Sequence, residues 1–163
     1  MSCLAPAPVS AHPQLPPVAA SADWVLAVEA AWDRVATVAG YRQIIELPDA
    51  GTRIETLVLG DHLYHRLPAG VCRKMYFTAD GRRAAIEWAA SAAAVETAAR
   101  RDDETIAGIE MTVITYRTAP ANGRPVGADH VIWVGKVDGL VHRYAAAGAC
   151  VTIDYDRLAS APV

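Results

Sequence analysis

The stretch YRQIIELPDAGTRIETLVLGDHLYHRL, residues 41–67, decides the fold of this 163-residue chain. Polar and apolar residues alternate along it, and turn-forming residues interrupt the alternation at Pro48 to Gly51 and at Gly60-Asp61. Links this short can join only antiparallel neighbours, because a parallel pair needs a long crossover. We therefore predict an antiparallel meander of four strands: Tyr41 to Leu47, Thr52 to Leu59, His62 to Leu67 and, after the turn Pro68-Ala69-Gly70, Val71 to Phe77.

An amphipathic helix is predicted on the N-terminal side of this meander, from Asp23 to Ala39. Ser21 or Asp23 can cap its first turn, and Gly40 can end it. Its apolar residues recur at helical spacing, so we expect it to pack on the concave side of the sheet. Core packing explains the two tryptophans, with the lining of a ligand cavity as the alternative. The apolar stripe comprises Trp24, Val28, Ala31, Trp32 and Val35.

The second half of the chain is predicted to repeat the order of helix and strands. A helix is expected from Arg83 to Arg101, where Trp88, Ala92, Val95 and Ala99 share one stripe. Thr105 to Arg117 then predicts one unusually long strand, which suits a curved, wrapping sheet. A loop at 118–129 separates it from three further strands, His130 to Gly135, Leu140 to Ala146 and Ala149 to Asp156. The predicted class is α+β, with a curved antiparallel sheet.

A single domain, residues 23–158, is predicted between two tails, residues 1–22 and 159–163. The N-terminal tail has repeated prolines among Ala, Ser and Val, a composition that forms neither a helix nor a central strand. An export signal needs a positive segment and a continuous apolar segment, and neither is visible. Ser2-Cys3 resembles the end of a lipoprotein signal, so a lipid anchor at Cys3 and a cytoplasmic location both stay open.

Composition and motifs disfavour several classes of function. The formal net charge of −3 gives no electrostatic footprint for nucleic acid. No run of about 18 apolar residues predicts a transmembrane segment. The motifs GxSxG, P-loop and HExxH are absent from the sequence, and the cysteines match no zinc spacing. We therefore predict no catalytic residue, no metal and no cofactor, and expect that the protein is not an enzyme.

The histidines are expected to lie on the surface or to make structural hydrogen bonds. His62 and His65 are three residues apart in one strand, so they point to opposite faces and cannot share a metal without a bulge. His130 and His142 lie on adjacent predicted strands, but no nearby residue completes a ligand set.

Cys72 and Cys150 are a candidate disulfide, with Cys3 left over. Closing so long a loop would stabilise the fold by about 4 to 5 kcal/mol in the chain-entropy model. If the protein is exported, its compartment permits this bond. The alternative is that both thiols are buried as small apolar groups.

Aromatic and thioether side chains on the strands are the candidate ligand-binding residues. A curved sheet could direct some of them into a common hollow, although core filling also explains such residues. The set is Trp133, Tyr64, Tyr116, Tyr144, Met75 and Met111.

Four segments together resemble the LolA-like envelope proteins, a superfamily of lipoprotein carriers and related mycobacterial lipoproteins. They are MTVITY at 111–116, VIWVGKVDGL at 131–140, TIDY at 152–155 and the reversal LGDHLY at 59–64. The resemblance implies an incomplete barrel wrapped around helices, whose concave apolar face holds acyl chains. It also implies a location in the periplasm or cell envelope. No single lipid-contacting residue of the family can be matched in this chain.

Three functions therefore remain open. The first is non-enzymatic binding of a hydrophobic ligand, either a lipid or a lipoprotein acyl chain, in the cell envelope. The alternative is a small-molecule binder or enzyme on a ketosteroid-isomerase-type α+β cone, which would need a titratable group deep in its pocket. The third is a structural accessory protein with a filled interior.

Overall fold

The structure, a computed structural model, describes residues 21–66, 70, 72–76, 95–118, 129–146 and 148–155. One α-helix, one short 3-10 helix and ten strands lie in these residues. The α-helix and the strands are α1 (Ala22–Thr37), β1 (Gly40–Leu47), β2 (Thr52–Leu59), β3 (His62–Arg66), β4 (Cys72–Tyr76), β5 (Val95–Arg100), β6 (Glu104–Ile106), β7 (Ile109–Thr118), β8 (Asp129–Gly135), β9 (Val141–Ala146) and β10 (Ala149–Asp154).

All ten strands belong to one antiparallel sheet. Its order is β4-β3-β2-β1-β10-β9-β8-β7-β5, and β6 extends it by pairing with β7. The sheet is open, because β4 and β5 stand at opposite ends of this order. The structure thus confirms the predicted α+β class and the curved sheet that forms an incomplete barrel.

The start and the end of helix α1 each have an identifiable cause. The Ser21 hydroxyl accepts a hydrogen bond from the backbone N–H of Asp23 at 3.2 Å, which confirms Ser21 as the cap. The helix ends at Thr37, two residues before the predicted end, because Val38 has extended dihedral angles. No helix in the described ranges has the length and apolar character needed to cross a membrane.

The core lies between α1 and one face of the sheet. Side chains of directly opposed residues in antiparallel strands point to the same face, and the register therefore defines an inner face that carries Tyr41, Val58, Ile132 and Tyr144. Val28, Trp32 and Val35 of α1 are buried among these residues, and α1 packs over β5, β7 and β9. Burial of one such side chain contributes about 1.5 to 3 kcal/mol. The helix packs on the sheet as predicted.

The N-terminal meander confirms the prediction, with strand ends that differ by at most one residue. Strands β1 to β4 pair in sequence order, each antiparallel to the next. The first turn is a short 3-10 helix, Pro48–Ala50, which Gly51 ends in a left-handed conformation at φ 57°. Strands β8 to β10 likewise follow the predicted segments.

The predicted helix Arg83 to Arg101 is wrong in its last part, because residues 95–100 form strand β5. The earlier part of that segment lies outside the described residues. Strand β5 pairs with β7, and Ala98 is 2% exposed on the inner face. Alanine has a high helix propensity, but here its small side chain lets α1 approach the sheet closely. Long-range pairing therefore overrides the local preference.

The predicted long strand Thr105 to Arg117 is also wrong, because a reversal at Ala107-Gly108 divides it into β6 and β7. Ala107 has φ 53° and Gly108 has φ 84°, the left-handed values that a two-residue hairpin of type I′ requires. Ile106 and Ile109 close the turn as an opposed pair. Asn-Gly or Asp-Gly would have indicated this hairpin, whereas alanine rarely adopts a positive φ.

The candidate disulfide is contradicted. Cys72 is exposed on β4, whereas Cys150 is buried on β10. Three strands, β3, β2 and β1, lie between them in the sheet. Four strand spacings amount to about 19 Å along the sheet, whereas a disulfide needs Cα atoms within about 7 Å.

The predicted tails fall largely outside the described residues. Of residues 1–22, only Ser21 and Ala22 are described, and both belong to the start of α1. Residues 156–163 lie outside the described residues. Of the predicted loop at 118–129, only the ends, Thr118 and Asp129, are described. The limits of the predicted domain, 23 and 158, therefore stay predictions.

Candidate functional site

The alternation of the strands divides the six candidate binding residues between the two faces of the sheet. Tyr116, Tyr144 and Met75 point to the inner face, because they oppose inner-face residues. Trp133, Tyr64 and Met111 point to the opposite, outer face. The structure therefore does not bring the six residues into one hollow.

The outer-face candidates have structural partners. The indole N–H of Trp133 donates to Glu104 Oε2 at 3.0 Å, and the Arg143 guanidinium lies 4.9 Å from the centroid of the Trp133 ring. Met111 is 3% exposed, and Lys74 Nζ lies 5.7 Å from the centroid of the Tyr64 ring. These contacts stabilise the outer face and leave the inner face as the candidate site.

A buried aromatic and polar cluster occupies the inner face beneath α1. His130 is 6% exposed, and its Nδ1 lies 2.9 Å from the hydroxyl oxygen of Tyr144 while its Nε2 lies 3.2 Å from Thr118 Oγ1. The His130 ring stacks on Tyr116 with centroids 4.8 Å apart. Trp32 meets Tyr144 edge to face at 5.6 Å. Both ring nitrogens are engaged, as expected for a structural histidine.

Burial raises the pKa of Tyr116 far above its ordinary value, and the neighbouring Tyr144 adds to the rise. The indole N–H of Trp32 opposes this rise in pKa, although its geometry toward the hydroxyl falls short of a hydrogen bond. Tyr116 is therefore a neutral phenol at physiological pH. The cluster behaves as a hydrogen-bonded part of the core.

An uninterrupted row of apolar side chains crosses six strands of the inner face. Each member directly opposes the next across neighbouring strands. The first three members lie in the half of the sheet that α1 covers and are 2%, 0% and 8% exposed, whereas the last three are only partly buried. We call it the apolar row, in order Ile114, Ile132, Tyr144, Val151, Ile45 and Ile54.

A second row crosses β1 to β4 next to the apolar row. Gln43 opposes Thr56, Thr56 opposes His65, and His65 opposes Arg73. We call these four residues the polar row. His65 Nδ1 lies 3.0 Å from Thr56 Oγ1, and Arg73 is exposed at the end of the row. His62 points to the outer face, as predicted from its spacing to His65.

Neither row was identified from the sequence. Tyr116 and Tyr144 were selected as aromatic, whereas Ile45, Ile54 and Gln43 carry no signal of their own. Their alternation along β1 and β2 was visible, but their alignment depends on the register of each strand pair. Register is a property of the folded sheet, and only the short turns between β1, β2 and β3 fix it locally.

No protein-family model matches this chain, and no curated protein matches it. Among solved structures it is similar to the lipoprotein LppX of Mycobacterium tuberculosis, with TM-score 0.53 and 9% identity over 81% of this chain and 92% of that one. It is also similar to LprF of Mycobacterium bovis, with TM-score 0.57 and 8% identity over 89% and 98%. A protein of the DUF1329 family from Desulfovibrio piger covers 85% of this chain and 94% of its own at 12% identity, but its TM-score of 0.37 is too low to support an argument.

Identities this low establish similarity of fold and nothing further. The chain shares its fold with these two mycobacterial proteins, and this fold is the incomplete barrel that the sequence resemblance predicted. That fold replaces the ketosteroid-isomerase-type cone as the scaffold on which the function must be explained.

Proposed function

We propose that this protein binds a hydrophobic ligand, a lipid or the acyl chain of a lipoprotein, against the inner face of its half-barrel and without catalysis. The apolar row is the observation that carries the proposal. Ile114 and Ile132 are sealed beneath α1, whereas Val151, Ile45 and Ile54 continue the same row with part of their surface exposed. A row used only as core would have no need of this extension.

The energetics favour an acyl chain as the ligand. Each methylene group that leaves water contributes about 0.8 kcal/mol, so a chain of modest length offsets the cost of ordering the ligand. Among the inner-face candidates, Tyr144 is itself a member of the apolar row, Tyr116 adjoins its sealed end on β7, and Met75 lies on the edge strand. Their contact with the ligand is part of the proposal.

Ligand-induced stabilisation tests the proposal. Long-chain fatty acids or lipopeptides should raise the melting temperature, because a ligand that binds only the native state stabilises it. Ile45→Asn should remove most of this shift, whereas Ile44→Asn, on the outer face of the same strand, should retain it. The shift is compared within each variant, so loss of stability alone does not affect the result. No shift for the wild type across a panel of acyl ligands would reject the function.

We further propose a location in the cell envelope, with Cys3 as the candidate lipid anchor. The similar structure from M. tuberculosis is that of a lipoprotein, which supports this location. Fractionation of the source cells tests it, because an envelope protein should be absent from the cytoplasmic fraction. Cys3→Ser should then release the protein from the membrane fraction, and an unchanged distribution would reject the anchor.

A further inference from the structure

The polar row interrupts an otherwise apolar part of the inner face. On β1 it places Gln43 between Tyr41 and Ile45, and on β2 it places Thr56 between Val58 and Ile54. Thr56 is 0% exposed, so its hydroxyl is kept in a site that an apolar residue of similar size could fill. Polar groups are buried at a cost unless they have partners. The hydrogen-bond partner of the Thr56 hydroxyl is His65, so this pair places a histidine on the inner face.

Charged side chains are distributed unequally between the two faces of strands β1 to β4. The outer face of β1 to β4 carries both signs, including the pair in which Arg42 Nε donates to Glu55 Oε1 at 2.6 Å. The inner face of the same four strands includes no carboxylate among its described residues. Its one formal charge is that of Arg73, which forms no ion pair with any described residue. The inner face is therefore suited to an anion.

We propose that the polar row binds the anionic oxygen head group, a carboxylate or a phosphate, of an acyl ligand whose chain lies on the adjacent apolar row. This inference rests on the proposed function and specifies the chemical class of the ligand. Arg73 supplies a guanidinium, which matches carboxylate and phosphate oxygens with paired N–H donors. His65 has Nδ1 engaged with Thr56, so Nε2 is the ring atom directed to a ligand, and the Gln43 amide supplies a further donor.

The dimensions of the two rows fit a single amphiphile. The polar row spans four strands, about 14 Å at the usual strand spacing, and ends at exposed Arg73 on β4. The apolar row is one inner-face position away, since Gln43 and Ile45 are two residues apart on β1. A chain on the apolar row can therefore reach the polar row without leaving the inner face. The head group stays near the edge strand, where water is accessible.

Three ligands of twelve carbon atoms each test the inference: dodecanoate, dodecyl phosphate and dodecanol, measured by equilibrium dialysis at neutral pH. The wild type should bind at least one anionic ligand about tenfold more tightly than dodecanol, which corresponds to about 1.4 kcal/mol. Whichever anion is preferred identifies the head group. Arg73→Gln should reduce the ratio of dissociation constants to near one, and His65→Gln should reduce it in part.

Lys74→Gln is the matched control, because Lys74 neighbours Arg73 on the same strand but points to the outer face. It should leave the ratio unchanged. If the wild type binds all three ligands equally, or if Lys74→Gln lowers the ratio as much as Arg73→Gln does, the head-group site is wrong and hydrophobic binding still stands. If no ligand binds, the proposed function itself is rejected together with this inference.

Discussion

Burial changes the acid–base behaviour of two tyrosines in this fold. Burial is the main cause of the raised pKa of Tyr116, and likewise of Tyr155, whose hydroxyl donates to the carbonyl oxygen of Val141 at 2.7 Å. A neighbouring tyrosine raises the pKa further in each case, Tyr144 for Tyr116 and Tyr41 for Tyr155. Both phenols are therefore held neutral in the native state, whereas in the unfolded chain they ionise near pH 10.

This difference predicts a loss of stability at alkaline pH. The native pKa lies above the unfolded pKa, so the stabilisation is complete below about pH 10 and declines as the pH rises further. Each such group lowers the free energy of unfolding by up to about 1.4 kcal/mol per pH unit above that point. Tyr116→Phe should flatten this decline in urea unfolding curves, and Tyr76→Phe, whose side chain is 69% exposed, should not. An equally steep decline in Tyr116→Phe would contradict the assignment.

At the scale of elements, β5 shows how a segment of high helix propensity becomes a strand. Ala98 opposes Tyr116 on the inner face, and Ala99 opposes Thr115, whose hydroxyl donates to the Ala99 carbonyl oxygen at 3.2 Å. Consecutive alanines therefore face opposite sides, one toward α1 and one away from it. In the predicted helix, by contrast, Ala99 would lie on the buried stripe with Val95.

Replacing each alanine by leucine distinguishes strand β5 from the predicted helix. Ala98→Leu should overpack the contact with α1 and lower the free energy of unfolding by about 1 to 3 kcal/mol. Ala99→Leu should change it by no more than about 0.5 kcal/mol, as is usual for partly exposed positions. Urea denaturation of the two variants measures both values. If Ala99→Leu were more destabilising than Ala98→Leu, the segment would be the predicted helix and not strand β5.

The elements that the sequence predicts correctly are those whose signals are local. Strand β2 was predicted to the residue because Gly51 and Gly60 mark its ends, and α1 because its stripe and its Ser21 cap are both visible. Strand β5 depends on pairing with β7 across the intervening chain, and the β6–β7 turn depends on Ala107 at φ 53°. The six candidate binding residues could not be assigned to one face for a related reason, since side-chain type indicated Trp133 but only the register shows that it points outward.

For the whole molecule, stability should be distributed unevenly across the sheet. Strands β7 to β9, in the half that α1 covers, carry Ile114, Ile132 and Val141, which are at most 2% exposed. At the other end, every residue of β4 is exposed. Local opening is easiest where few apolar side chains are buried. The half-barrel therefore divides into firm strands β7 to β9 and a labile edge at β4, and the partly exposed end of the apolar row lies between them.

Hydrogen exchange resolved by residue tests this division. Amides of β8 and β9 should exchange most slowly, close to the limit set by global unfolding, and those of β4 should exchange fastest. Addition of dodecanoate should slow exchange in β1 to β3 more than in β8 and β9, because the proposed ligand contacts Ile45, Ile54 and His65. The amides of β8 and β9 are already protected, so the ligand should add little to their protection. Ile45→Asn should abolish this additional protection while Ile44→Asn preserves it. Uniform slowing across all strands would mean that the ligand acts only through global stability, and the inner face of β1 to β3 would not be its binding site.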